Sequence, residues 1–251
     1  SNDARHARLV AAGPFVSASR EPQDAWLAVT SPEQAEPAIN ELVDDGADLV
    51  KIYVEEQTSG YTPVQDATTA TVDAAHARGV PASAHILQRT HLEYALEAGV
   101  DDLAHMIFDA LPQDLITRAI EQDMYWVPTL ELAQCTGNVS VAVDNLRSFS
   151  QSGGNVALGT DFDGYRNCDF GLGMPMTEIG LMLDADMTPM QIIVAATSNA
   201  AHVCGLDNEL GTLEPGKIAD ILVVEGDPLD DMQVLTDVQM VIHNGVVIRD
   251  E

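Results

Sequence analysis

Lysine is almost missing from this chain. Of its 11 basic residues only Lys51 and Lys217 are lysines, set against 40 acidic residues, for a net charge of −29 and a pI near 4.1. A chain this acidic repels a phosphate backbone, which argues against nucleic acid as a partner. The same repulsion argues against anionic membrane surfaces. Long apolar runs are also lacking: nothing approaches the roughly 18 uninterrupted residues of a membrane span. The opening stretch Ser1–His6 has no basic-then-apolar profile, so no signal peptide is read there and a cytoplasmic location is expected. Cysteine is scarce. Cys135, Cys168 and Cys204 are odd in number and show no paired spacing, which predicts packed thiols in a reducing compartment and no disulfide framework. The acidic residues are dispersed rather than gathered in a tail, a pattern suited to a salt-adapted surface on which salt screens self-repulsion.

What is present is a core. The hydrophobic share is 46% over 251 residues, enough for one large α/β domain; an eight-stranded α/β barrel needs about 250 residues. Arg8–Gly13 reads as a first strand, with a loop to about Thr30. Ser31-Pro32-Glu33-Gln34 then reads as a capping box opening a helix, with Ala35, Ile39, Leu42 and Val43 on one stripe and Gly46 as its stop. The apolar stretch Ala47–Glu56 follows as a strand with Lys51 in its middle. The pattern repeats. Thr62 and Thr90 open helices that stop at Gly79 and Gly99, and Val80–His85 and Val100–His105 are strands ending in histidine. A helix over Pro112–Gln122, a strand over Met124–Pro128, a longer segment around Leu146–Phe149 and a strand over Val156–Asp161 come next. Thr188-Pro189-Met190-Gln191 caps the last strong helix, which runs to about Cys204. Strand–helix alternation calls for parallel β structure with outer helices, and six strands are counted. Beyond Gly205 the chain changes character: Ile221–Val224 and Met240–Ile248 are β-like, the second broken by the hairpin signal Asn244-Gly245. This divides the chain into a barrel over residues 1–205 and a small β appendage over 206–251.

An ammonium buried in a strand is costly unless it is paired or chemically changed. Lys51 therefore stands out, although a lone strand lysine is more often an edge or snorkelling residue. A lone strand-end histidine is likewise more often structural, and Asp161 in Gly159-Thr160-Asp161 has an alternative as a turn residue. The joint pattern outweighs these readings. In a β/α barrel the site lies at the C-terminal ends of the strands. His85, His105 and Asp161 end three strands and Lys51 lies in a fourth. Imidazoles and carboxylates are the ligands zinc prefers, and a lysine that has added CO2 becomes an anionic oxygen ligand. His6, His76, His91, His202 and His243 lack this placement and are read as structural. Arg89, Tyr165 and Arg166 lie in loops after His85 and Asp161. The two arginines offer bidentate pairing to a substrate carboxylate, with a surface role equally open.

At these residues the chain resembles the amidohydrolase superfamily of metal-dependent (β/α)8-barrel hydrolases, closest to its imidazolonepropionase-like and prolidase-like group. The resemblance runs from about Val10 onward. It is carried by Leu96–Asp101 before His105, by Ala157–Asp161, and by Ala195–Ala201 leading into Gly211–Asp220 and Gly226–Leu229. It implies that Lys51 is a carboxylated lysine, that His85 and His105 bind metal, and that Asp161 both binds metal and moves the proton. It implies a divalent metal, zinc first. It also implies hydrolysis of an amide, peptide-like or cyclic-amide C–N bond in a small molecule by metal-bound hydroxide. The appendage corresponds to part of a β-sandwich flanking the barrel, with Lys217 structural. The family's first strand carries a His-x-His pair, and no His-x-His occurs in this sequence. The fold expected is thus an incomplete TIM-type barrel of about six strands, whose open edges invite a homo-oligomer. Two further readings stay open. One is a truncated, catalytically inactive fragment that keeps the fold and a partial metal site; the other is a deacetylase- or deaminase-type relative.

Overall fold

The computed structural model describes residues 7–18, 26–54, 62–162 and 171–250. Seven strands form one parallel sheet: β1 (Phe15–Ser17), β2 (Trp26–Ala28), β3 (Val50–Tyr53), β4 (Ala82–His85), β5 (Asp102–Ala104), β6 (Tyr125–Val127) and β7 (Asn155–Val156). Their order is β2-β1-β3-β4-β5-β6-β7, all pairs parallel. Helices α1 (Pro32–Asp44), α2 (Thr62–Ala77), α3 (Arg89–Ala98), α4 (Gln113–Glu121), α5 (Leu130–Thr136) and α6 (Val139–Gln151) connect them, and α7 (Met176–Asp184), α8 (Pro189–Val194) and α9 (Ala200–Val203) follow β7, with a π-helical turn at Ala195–Asn199 between the last two. One continuous apolar core joins sheet and helices. It includes Ile39 of α1, Ile52 of β3, Leu103 of β5, Trp126 of β6 and Phe149 of α6, all essentially inaccessible.

The α/β barrel-type expectation holds, with one strand more than the six counted. Residues 8–13 are not a strand. They are pinned at one point instead, where Ala11 N donates to Asp48 Oδ2 at 2.9 Å and Asp48 N donates to Ala11 O at 2.8 Å. Gly13 then turns the chain at a φ of 69°, and the first strand starts at Phe15. The segment read as a loop to Thr30 contains β2, three residues long and too short to show alternation.

Caps differ from expectation in an instructive way. Ser31 makes no side-chain cap; Gln34 Oε1 instead accepts from Thr30 N at 2.8 Å. The amide of Arg89, first in α3, is satisfied from outside the helix by Asp109 Oδ2 at 2.9 Å rather than by a Thr90 box. The cap expected at Thr62 lies among side chains outside the described set. At Thr188 the capping box is present in both directions. Side chains on neighbouring loops compete for the same amides, so a local motif decides only where no neighbour arrives.

The edge strand β7 is closed by the π-helical turn. Leu158 N donates to Ala195 O at 3.0 Å and Asn199 Nδ2 donates to Val156 O at 2.8 Å. The motif Ala195–Ala201 therefore has a structural job at the end of the sheet. Gly211, at a φ of 89°, packs so closely on this turn that a Cβ would come within 2.8 Å of Ser198 Cα. The second sheet follows. It is antiparallel, in the order β10-β9-β8, from β8 (Ile221–Val224), β9 (Val238–His243) and β10 (Val246–Asp250). Arg8 Nη1 ties the N-terminal segment to it through Asp220 Oδ2 at 2.6 Å. Val246, Val247 and Ile248 of β10 are each about half exposed.

The cysteine expectation is corrected in part. Cys135 on α5 is disulfide-bonded, while Cys204 is a free, half-buried thiol. Cys168 lies outside the described residues. The cysteine count therefore gives no argument for a reducing compartment. Among the described residues no helix is long and apolar enough to cross a membrane.

Candidate active site at the strand ends

Strand pairing decides which side chains share a level of the sheet. Lys51, Ser83, Asp102, Tyr125 and Asn155 are successive partners across β3 to β7. Two residues further along the strands, Tyr53, His85, Ala104 and Val127 form the next row. Lys51 therefore sits below the histidine level by roughly 6–7 Å of strand rise.

Lys51 Nζ donates to Ser83 Oγ at 3.1 Å, and Ser83 Oγ donates to Asp102 Oδ1 at 2.6 Å. Burial holds the Lys51 ammonium below the usual lysine range, and the charges of Asp102 and Asp161 pull it back up. Burial pushes the Asp102 carboxyl up to about 6, opposed by Lys51 and by the Ser83 hydroxyl. A lysine and an aspartate thus stabilise one another's charged forms across a serine in a poorly solvated layer. Ser83 and Asp102 were not singled out in the sequence. Asp102 carries the same signal that exposed Lys51, an ionisable residue inside an apolar strand.

His85 stacks on Tyr53, ring centroids 4.0 Å apart and planes within 11°. His105 meets His85 edge-on at 4.6 Å. His105 is 6% exposed and adopts a left-handed φ of 71°. Its Nδ1 shares a 2.8 Å hydrogen bond with Thr129 Oγ1 and lies 4.0 Å from Asp161 Oδ2. Its carbonyl accepts from Trp126 Nε1 at 2.7 Å. Burial, helped by the Lys51 charge, lowers its pKa to about 3, so the ring is a neutral imidazole over the whole physiological range. Asp161 also has a left-handed backbone, φ 56°, and its side chain is 40% exposed. Left-handed non-glycine residues are held only where surrounding contacts over-determine them, and they gather at functional sites.

The structure therefore brings Lys51, His85, His105 and Asp161 to one end of the sheet. It does not bring Arg89 there as a free cation: its guanidinium faces Glu93 at 3.8 Å on the exposed side of α3. Tyr165 and Arg166 lie outside the described residues. His76 pairs with Asp101 at 2.9 Å, and His202 stacks on Tyr125 at 4.1 Å; both partners stand at the opposite ends of their strands. His243 pairs with Asp220 at 3.0 Å in the second sheet, and His91 is buried in α3, where Leu87 N donates to its Nδ1 at 3.3 Å.

The donor set fits a divalent metal in kind. It offers an imidazole kept neutral by burial, a second imidazole beside it, a carboxylate, and a lysine whose depressed pKa favours the free amine that reacts with CO2. Among the described residues no three His, Cys, Asp or Glu side chains converge closely enough to hold a metal ion. Among the described residues Lys51 is the further side chain that such a site would draw on, and its amine donates to Ser83.

A profile of the amidohydrolase family matches residues 2–248. The chain belongs to the amidohydrolase family. Within it, an imidazolonepropionase of Rhizorhabdus wittichii is 30% identical over 192 residues, 70% of this chain and 43% of the relative. A Xaa-Pro dipeptidase with methionine bound in its active site superposes with a TM-score of 0.76 at 26% identity, covering 90% of this chain and 60% of that one. The ochratoxinase of A. niger superposes with a TM-score of 0.80 at 18% identity, covering 96% and 66%, a likeness of fold. The chain thus spans under half the length of that imidazolonepropionase and about two-thirds or less of these structures.

Proposed function

We propose that this amidohydrolase-family chain acts on C–N bonds of small amides, peptide-like or cyclic, with a divalent metal, zinc first, held at the strand ends. The observation that carries this reading is the grouping of two histidines, one of them buried and neutral, with Asp161 and a half-buried lysine, drawn from β3, β4, the end of β5 and the segment after β7. His85, His105, Asp161 and Lys51 in its carbamate form would hold the ion. When bound, the metal supplies polarisation of the scissile carbonyl and a more acidic water. The chain's own residues do the rest. Asp161, the most exposed of the four, accepts the proton from the attacking water and returns it to the leaving nitrogen. His105, fixed at Nδ1 by Thr129, offers a ring whose orientation is set by that bond. Tyr53 covers one face of His85. Tyr165 and Arg166, in the loop after Asp161, are the proposed contacts to a carboxylate on the substrate, and Arg89, paired with Glu93 on the exposed side of α3, is not carried into that role. We further propose that residues 1–205 carry this chemistry and that 206–251 brace it.

A second reading is a fold that binds metal without turnover. It is favoured by the engagement of Lys51 with Ser83.

The test is metal content and turnover after loading with zinc and bicarbonate, on the protein and on Lys51→Ala. The primary reading expects stoichiometric zinc, hydrolysis of Xaa-Pro dipeptides or N-acyl amino acids, and loss of both in the variant. Metal without hydrolysis selects the second reading. Zinc below about a tenth of an equivalent in the loaded protein, or unchanged in Lys51→Ala, overturns the site.

A further inference from the structure

Glu178 of α7 is a carboxyl group with no exposed surface at all. Its two oxygens each accept a main-chain amide at the start of α5: Leu130 N to Oε1 at 2.9 Å and Glu131 N to Oε2 at 2.7 Å. The residue before these amides is Thr129, left-handed at φ 46° and ψ 51°. That backbone costs about 1–2 kcal/mol for an L-residue, and a β-branched side chain makes it rarer still. In this conformation Thr129 Oγ1 reaches His105 Nδ1 at 2.8 Å. Neighbouring bonds lock the two strand ends together. His105 N donates to Val127 O and Met106 N to Pro128 O, each at 2.9 Å.

We infer that Glu178 is a positioning residue for the site. By gripping the amides of residues 130 and 131 it holds Thr129 in its left-handed turn, and the Thr129 hydroxyl in turn fixes the rotation of the His105 ring. The inference rests on the proposed role of His105 but concerns a different link: what holds that ring in place. A glutamine at 178 keeps the shape, yet its amide nitrogen cannot accept a hydrogen bond. One of the two amides then loses its partner and faces another donor, and the turn at Thr129 is released. Outer partners of ligating histidines typically set ligand affinity by 10–100-fold.

The experiment follows the ring nitrogens of His105 by NMR in 15N-histidine protein, and zinc affinity by chelator competition. It uses Glu178→Gln, Thr129→Val, the double variant and Thr129→Ser. Expected are a shifted Nδ1 resonance and zinc affinity weakened about 10–100-fold in Glu178→Gln and in Thr129→Val. The double variant should be no worse than Thr129→Val, and Thr129→Ser should match the parent. Unmoved His105 resonances in Glu178→Gln with only a lower melting temperature would overturn the inference, as would additive losses in the double variant. If Glu178→Gln does not fold, Glu178→Asp, which draws the carboxylate back by one methylene, is read the same way. His105→Ala separates the two claims: unchanged zinc affinity there defeats the metal reading, while the ring resonances still decide whether Glu178 positions His105.

Discussion

Lys51 reaches Asp102 through Ser83. The serine hydroxyl accepts from the amine at 3.1 Å and donates to the carboxyl at 2.6 Å, so one small side chain bridges two ionisable groups in the interior of the sheet. Ser83→Ala removes both contacts and supplies no replacement. A buried charged group left without its partner costs about 1–3 kcal/mol or more. Urea unfolding of Ser83→Ala should show a loss in this range with an unchanged slope. A variant as stable as the parent would mean that water already serves both groups and that the serine bridge is incidental.

Glu178 should leave a signature in the pH dependence of stability. Burial raises its folded pKa from 4.5 to about 8, against the pull of the two amides. A group that binds its proton more tightly when folded contributes stability fully below its unfolded pKa, and that contribution is lost as pH rises through the folded value. The stability of the parent relative to Glu178→Gln should therefore fall between pH 5 and pH 9, measured by thermal or urea melts at matched ionic strength. A difference that stays constant over that window would show that the carboxyl titrates near its ordinary value.

Much of this arrangement was legible in the chain because it depends on local chemistry. Gly79, Gly99 and Gly205 each take a left-handed φ at a helix end, and the alternation of strands and helices places His85 and His105 at strand ends; the strand expected over Val156–Asp161 is instead Asn155–Val156, with Asp161 in the loop beyond it. What escaped is decided by tertiary contact. Strand β2 exists because Trp26, Leu27 and Ala28 find β1 beside them; three residues carry no periodic signal of their own. In α7, Glu178 reads as a residue of the solvent face, as most glutamates are, and only the arrival of the α5 amides makes its burial tolerable. Thr129 gives no sequence signal for a left-handed turn, since that backbone is imposed by its neighbours. The motif Ala195–Ala201 was legible as a family mark but not as a closure of the β7 edge, because that role rests on carbonyl and amide positions rather than on side-chain type.

That closure leaves β2 as the sheet edge without a neighbouring strand or covering turn among the described residues, and it joins two properties of the chain. An open edge strand presents unpaired amides and carbonyls to a second copy, and the proposed self-association would use it. Val29 N donates inward to Ser17 O at 2.9 Å, so strand alternation turns the amide of Ala28 outward. Opposing this, each copy carries a net charge of −29, and the Debye length of about 10 Å at 0.1 M salt falls to about 3 Å at 1 M. Light scattering should therefore give the 26.9 kDa monomer at low salt and a larger mass in molar potassium chloride. Ala28→Pro removes an outward amide that an edge strand does not need for its own pairing, and it should keep the protein monomeric in both conditions. The melting temperature should rise with salt in the parent and in Ala28→Pro alike, because screening of self-repulsion acts on the monomer. A mass that stays monomeric at every salt concentration would remove β2 as an interface. An Ala28→Pro protein that associates like the parent would move the contact elsewhere, with the half-exposed β10 strand the next surface to mutate.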